Sequence, residues 1–326
     1  MAKNYWEWTY WFAVNHAERF YKSVNDTILF DNNQTLEKMI TEPTIFLANH
    51  TSEINIPHMH YAIQSSLSRH PQDANRVIRT ISKDDNFRHG KLGPVKNNLF
   101  NFFSQIPGTI LIKQKGSENP YPRDNIIPSM RTTLSAGNHV LIFSMGDVSG
   151  DGRVDHKREE DLLTFEYRFM ALIPRRVPNV HVQTMHYTTD VVNNRFLIRM
   201  GERHLVKDMT GYNFTDEIAK CTTITGLQLL SLYKKVANDL GIILTKKSLS
   251  KELSEFSEEL QKKGYHVYDP KNTMDDAIAY ADSGKEYILD IRYKLTNTAS
   301  SEYQSNQIKH LHLDESIRRF QEKRRR

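Results

Sequence analysis

The sequence predicts an α/β fold, and three observations carry that reading. Between residue 41 and about residue 201, short β-rich runs alternate with longer mixed stretches, the layout of strands separated by helices. One run, 44 to 48, passes through a polar turn into a helix start marked by Asn55 as N-cap and Pro57 in the first turn. The chain has 326 residues, 38% of them apolar and 25% charged, a globular profile long enough for about two domains or one domain with an extension.

In chain order, residues 1–40 read as an aromatic-rich helical segment. Trp6, Trp8 and Trp11 are the only tryptophans, interleaved with Tyr5, Tyr10 and Phe12. Tyr5, Trp8 and Phe12 fall near one helical face, while Glu7, Glu18 and Arg19 remain to face water. Such a face suits a lipid interface, where an aromatic ring keeps an apolar body and a polar tip, and it equally suits packing on a core. Residues 41–212 read as the α/β domain. Its strands are 44 to 48, 110 to 113, 140 to 143 and 179 to 187, with helices over 56 to 68 and 124 to 136. Residues 213–326 read as a helical extension, with helical periods over 214 to 240, 247 to 263 and 272 to 283. A strand-like 286 to 295 and a polar segment follow. The basic residues Arg318, Arg319, Lys323, Arg324, Arg325 and Arg326 read as a solvated tail.

Charge and cysteine count exclude several classes. The net charge of +5 favours anionic partners without choosing among them. The single cysteine, Cys221, allows no intrachain disulfide and no cysteine-based zinc site, which suits a reducing cytoplasm. The longest uninterrupted apolar runs, such as Tyr10 to Val14, are five residues, and no secretory signal pattern opens the chain, so a soluble or peripheral protein is expected. No zinc spacing, RNA-recognition motif or basic heptad array points to nucleic acid. His58 and His60 stand at i, i+2 in an expected helix, and Asp147, Asp151 and Asp155 lack calcium-loop spacing, so no metal is assigned.

The most informative stretch is Ile45-Phe46-Leu47-Ala48-Asn49-His50-Thr51-Ser52-Glu53-Ile54-Asn55-Ile56-Pro57. Loops after buried strands of an α/β sheet hold active sites at its carboxyl edge. An imidazole with an ordinary pKa near 6.5 can take a proton from an alcohol at neutral pH. A lone loop histidine is more often structural, so His50 needs its neighbours to be read as a base.

Those neighbours resemble a known family. Asn49-His50-Thr51-Ser52-Glu53-Ile54-Asn55 is similar to the N-H-x-x-x-x-D block of the glycerol-phosphate acyltransferase superfamily. Gly108-Thr109-Ile110-Leu111-Ile112-Lys113 resembles its second block. The run from Val140 through Ser144-Met145-Gly146-Asp147-Val148-Ser149-Gly150-Asp151-Gly152 resembles its third, and the strand around Val180 to Tyr187 stands where the fourth would. Tyr303-Gln304-Ser305-Asn306-Gln307-Ile308-Lys309-His310-Leu311 is similar to a segment closing the larger glycerol-3-phosphate and dihydroxyacetone-phosphate acyltransferases.

The resemblance implies a mixed sheet flanked by helices, with 41–212 as the acyltransferase domain. It implies transfer of a fatty acyl group from acyl-CoA or acyl carrier protein to a glycerol-phosphate-type hydroxyl at the cytosolic face of a membrane, with no metal or redox cofactor. His50 would be the base. Asn55 stands where the family has an Asp to orient the ring and support its positive charge, and an amide carries no charge. Glu53 or a distant acid would then serve, or the protein would be catalytically impaired and act by binding lipid or a partner. Met145 stands where the family has a Glu, although Ser149-Gly150-Asp151-Gly152-Arg153 fits the Ser-Gly-Gly-Arg type of block that some relatives carry. The implied substrate-binding set is Gly108, Lys113, Lys115, Ser144, Gly146, Asp147, Ser149 and Arg153, with the cations toward phosphate.

Overall fold

The uncharged run Thr44-Ile45-Phe46-Leu47-Ala48 is a strand buried along its whole length, as a parallel strand covered on both faces has to be. It is the central strand of a seven-stranded mixed sheet. The computed structural model describes residues 26–30, 42–49, 59, 62–63, 78–83, 109–112, 126–143, 177, 179–208, 214–268, 273–284, 288–289, 295–296 and 299–325. The sheet strands are β1 (Asp26–Phe30), β2 (Thr44–Ala48), β3 (Ile78–Lys83), β4 (Thr109–Ile112), β5 (His139–Phe143), β6 (His181–Asp190) and β7 (Arg195–Leu205). Their order is β1-β7-β6-β2-β5-β3-β4. From β6 to β4 the five strands are mutually parallel, β7 runs antiparallel to β6, and β1 runs parallel to β7.

Period-2 alternation gives each strand two covered faces. Ile45 and Leu47 point to one face, where they meet Met130 and Leu134 of α1 (Ile126–Ser135) and Ile218 of α2 (Phe214–Lys220). Phe46 and Ala48 point to the other, against the helical residues Met59, Ala62 and Ile63. The α1 helix stops in a left-handed Gly137 at φ 78°, with Asn138 N–H donating to Thr133 O at 3.1 Å and Gly137 N–H to Leu134 O at 3.0 Å. This is a Schellman cap, and it turns the chain directly into β5.

Beyond α2 come β8 (Thr223–Thr225), α3 (Gly226–Asp239), α4 (Lys246–Lys262), β9 (His266–Tyr268), α5 (Thr273–Asp282), β10 (Ile288–Leu289), β11 (Leu295–Thr296), α6 (Ser301–Gln307) and α7 (Asp314–Lys323). A separate core holds this carboxyl-terminal unit together: Leu230 and Tyr233 of α3, Leu253 and Phe256 of α4, Ile278 of α5 and Ile317 of α7. Val191 and Val192, in the turn joining β6 to β7, pack against the same core, and β8 lies on β6, so the unit is docked on the sheet.

Several sequence expectations are corrected here. The described part of the segment 1–40 is not helix but β1, because Thr27 and Ile28 are β-branched and Phe30 aromatic, types that suit a pleated strand beside β7. The aromatic run before it lies outside the described residues. The single helical period over 214 to 240 is broken: the β-branched Thr222-Thr223-Ile224-Thr225 forms β8, and Thr225 caps α3 in a capping box with Gln228. The expected strand over 286 to 295 is instead an antiparallel pair of two-residue strands, β10 and β11. The basic end is solvated as expected, with Arg319, Lys323, Arg324 and Arg325 exposed, but it is a helix docked through the buried Ile317 and Gln321 rather than a loose tail. It forms α7, whose Phe320 lies under Arg324 at 5.7 Å, while Arg324 also pairs with Glu255 and Arg319 with Glu315 at 2.9 Å.

Candidate functional site

Topology decides where the sequence-derived site residues attach. Strands β2, β5, β3 and β4 end on one edge of the sheet, since all four are parallel. Ala48 and Phe143 are register partners at the ends of β2 and β5. Asn49-His50 and Ser144 therefore continue the chain from adjacent strands about 4.8 Å apart. β4 ends in Ile112 at the same edge, with β3 between it and β5, so β4 and β5 lie about 10 Å apart, and Lys113 is the next residue in the chain. Gly108 precedes Thr109, the opposite end of β4 from Lys113. His50, Glu53, Asn55, Gly108, Lys113, Lys115, Ser144, Met145, Gly146, Asp147, Ser149 and Arg153 themselves lie outside the described residues.

Asn49 is the described residue nearest in the chain to His50, and it is fully buried. Its Nδ2–H donates to Tyr187 O at 2.9 Å, and its Oδ1 accepts from Tyr187 N–H at 2.7 Å. The side-chain amide thus satisfies both polar groups of one peptide residue on β6, adding a rung to the ladder just past the last β2–β6 register pair, Ala48 with Met185. The Tyr187 ring is itself buried and stacked on Phe196 at 5.7 Å. In the sequence Asn49 opens the motif around His50 with no role of its own. The only signal was an asparagine standing between a buried strand and a histidine.

A second polar cluster lies where the carboxyl-terminal unit meets β6. The Thr188 hydroxyl donates to Thr223 O at 3.1 Å, which leaves its oxygen to accept from Nδ1–H of His186, 3.1 Å away. His186 Nε2 is then a bare acceptor, buried with no hydrogen-bond partner among the described residues. The ring is held neutral: burial first, then His310 and Arg199, push its pKa well below the ordinary value. Thr222 Oγ1 lies 2.8 Å from His310 Nε2, and Thr223 Oγ1 lies 3.0 Å from His266 Nδ1. Burial, helped by Arg199, lowers His266 to about 4.

Cys221 sits beside this seam, its thiol donating to Glu217 O at 3.0 Å. Burial raises its pKa to about 11, so it carries no thiolate at neutral pH. The seam thus holds two neutral imidazoles, His186 and His266, and a thiol rather than a thiolate, with Arg199 as a nearby charge. Among the described residues, no group of three or more His, Cys, Asp and Glu side chains could hold a metal ion. Among them, too, no helix is long and apolar enough to cross a membrane.

No protein-family model matches the chain, and no curated protein matches it. Among solved structures, the crystal structure of the 1-acyl-sn-glycerophosphate (LPA) acyltransferase PlsC from Thermotoga maritima is similar at 13% sequence identity and a TM-score of 0.38. The match covers 72% of this chain and 80% of that one. A likeness at that TM-score carries no argument about chemistry.

Proposed function

We propose that the chain is an O-acyltransferase, moving a fatty acyl group from acyl-CoA or acyl carrier protein to the hydroxyl of a glycerol-phosphate-type or related lipid acceptor. One observation supports this above the others. The two polar blocks that would do the chemistry, opening at Asn49-His50 and at Ser144, continue from adjacent parallel strands at the same sheet edge.

In this reading His50 takes the proton from the acceptor hydroxyl as its oxygen attacks the thioester carbonyl carbon. Collapse of the tetrahedral intermediate breaks the C–S bond, and the imidazolium returns the proton to the departing sulfur. Glu53 or Asn55 orients the ring. Lys113, Lys115 and Arg153 hold the acceptor phosphate, and the backbone around Gly146 and Asp147 faces the oxyanion. The aromatic segment before β1 and the net positive charge suit attachment to an anionic membrane surface.

A second reading, a catalytically impaired relative that binds lipid or a partner, rests on Asn55 and Met145. The deciding experiment is purified full-length protein with labelled acyl-CoA or acyl carrier protein and a panel of glycerol-phosphate and lysolipid acceptors, beside His50→Ala. Transfer that falls by about 10² to 10⁴ in the variant supports a general base. A variant keeping more than about a tenth of the rate sinks that mechanism. Acyl-thioester binding without turnover on any acceptor favours the second reading.

A further inference from the structure

We infer that Asn49 is a positioning residue for His50, fastening the start of the catalytic segment to a fixed peptide of β6. The inference rests on the acyl-transfer reading of His50 and extends it to a residue to which that reading assigns no part. A fully buried amide has to have its polar atoms satisfied, and a buried strand end is an expensive place to put one unless it holds something. Here the carbonyl and amino ends of the side chain both reach the same residue, at 2.7 and 2.9 Å to N and O of Tyr187. Two bonds to one peptide residue fix an orientation as well as a distance, which a single bond would leave free to swivel.

The anchor is also held from its far side. Tyr187 faces the core and stacks on Phe196, while its neighbours His186 and Thr188 are hydrogen-bonded to each other and Thr188 to β8. The fastening point is therefore clamped between the sheet core and the carboxyl-terminal unit. His50 is joined to Asn49 by one peptide bond, so fastening Asn49 fixes the point from which the His50 segment leaves the sheet. A general base works only within hydrogen-bond reach of its proton, and a misplacement of about 1 Å can cost about 10²-fold in rate.

The test uses the full-length protein as wild type, Asn49→Ala, Asn49→Ser, Asn49→Asp and Glu42→Gln. The last is a stability control at the other end of the β2–β6 pair, where Glu42 meets Arg203 and His181, each at 3.1 Å. Steady-state acyl transfer is measured well below every melting temperature. The His50 imidazole is titrated by NMR on histidine-labelled protein, its signal assigned by its loss in His50→Gln.

Asn49→Ala is expected to lower kcat by about 10²-fold while KM for donor and acceptor stays within about twofold, and to shift the His50 titration. Asn49→Asp keeps the acceptor for Tyr187 N–H but loses the donor to Tyr187 O, and should fall between. Glu42→Gln should lower stability without either effect. If the alanine variant does not fold, the uncharged Asn49→Ser carries both readouts, while the aspartate variant is read by kcat and KM alone because its charge shifts the His50 titration by itself. An Asn49 variant that loses stability but keeps kcat and the His50 titration overturns the proposal. If wild type transfers to no acceptor, the acyl-transfer reading fails by itself. The titration then still decides whether Asn49 places His50, a shift upholding the positioning and an unchanged titration overturning it.

Discussion

Thr222 and His310, 88 residues apart in the chain, meet at 2.8 Å between Oγ1 and Nε2, so the turn after α6 is tied to the strand that docks on the sheet. The closing segment beginning at Tyr303 therefore has a structural role whatever its chemistry: Tyr303, Asn306 and Ile308 are buried, and Gln307 bonds Gln228 of the α3 capping box. A double-mutant cycle with Thr222→Val and His310→Ala, followed by urea melts, should show a coupling of about 0.5 to 1.5 kcal/mol. Additive losses would mean that the contact contributes nothing.

Gly201 on β7 allows a close approach that no other residue permits. A Cβ there would stand 2.3 Å from Cys221 Sγ and 2.4 Å from Thr184 Oγ1. Gly201→Ala should lower stability by about 1 to 3 kcal/mol, the range for forced overpacking. Adding Cys221→Ala should recover only part of it, since the threonine contact remains. Full recovery, or no loss at all, would contradict this geometry.

Acid should loosen the protein through its buried histidines. His186 and His266 have pKa values depressed in the fold, burial being the first cause in each, so below about 6.5 the unfolded chain binds protons that the folded chain refuses. Their contribution is present above that pH and is lost as pH falls, through about 4 for His266. His181 acts in the same sense, with burial and Arg203 lowering it. Asp190, raised by burial, acts in the opposite sense, over the carboxylate range. One such proton gives a slope of at most about 1.4 kcal/mol per pH unit. His186→Asn, whose amide can still donate to Thr188, should flatten the acid limb of a stability–pH curve, and an unchanged limb would remove His186 as a source.

The partner of the proposed base is decided by two substitutions. If Asn55 stands in the place of an orienting acid, Asn55→Asp should raise transfer several-fold and leave a helix cap intact, because Asp and Asn cap about equally well. If Glu53 already supplies the charge, Glu53→Gln should be the damaging change and the aspartate should add little. An active enzyme indifferent to both has its acid elsewhere in the chain.

The parts of this protein that the sequence by itself determined are those whose signal is local. The unbroken run 44 to 48, the β-rich 140 to 143 and the helical periods behind α1, α4 and α5 each carry their pattern within one element, and each lies within two residues of the bounds read from the sequence. The motif around His50 is local in the same way, so its attachment to the carboxyl end of β2 is legible in the chain itself. Tertiary structure alone decided what depends on distant partners. Asp26–Phe30 is a strand because β7 offers it an edge, and β7 itself, with Arg195, Arg199, Glu202 and Arg203 along it, has too polar a sequence to announce one. The residues Thr222 to Thr225 leave the helical period because β9 pairs with them and Thr225 can close a cap. Asn49 looks like any loop asparagine until a peptide 138 residues away presents both its donor and its acceptor, and hydrogen bonds across such separations leave no trace in local periodicity.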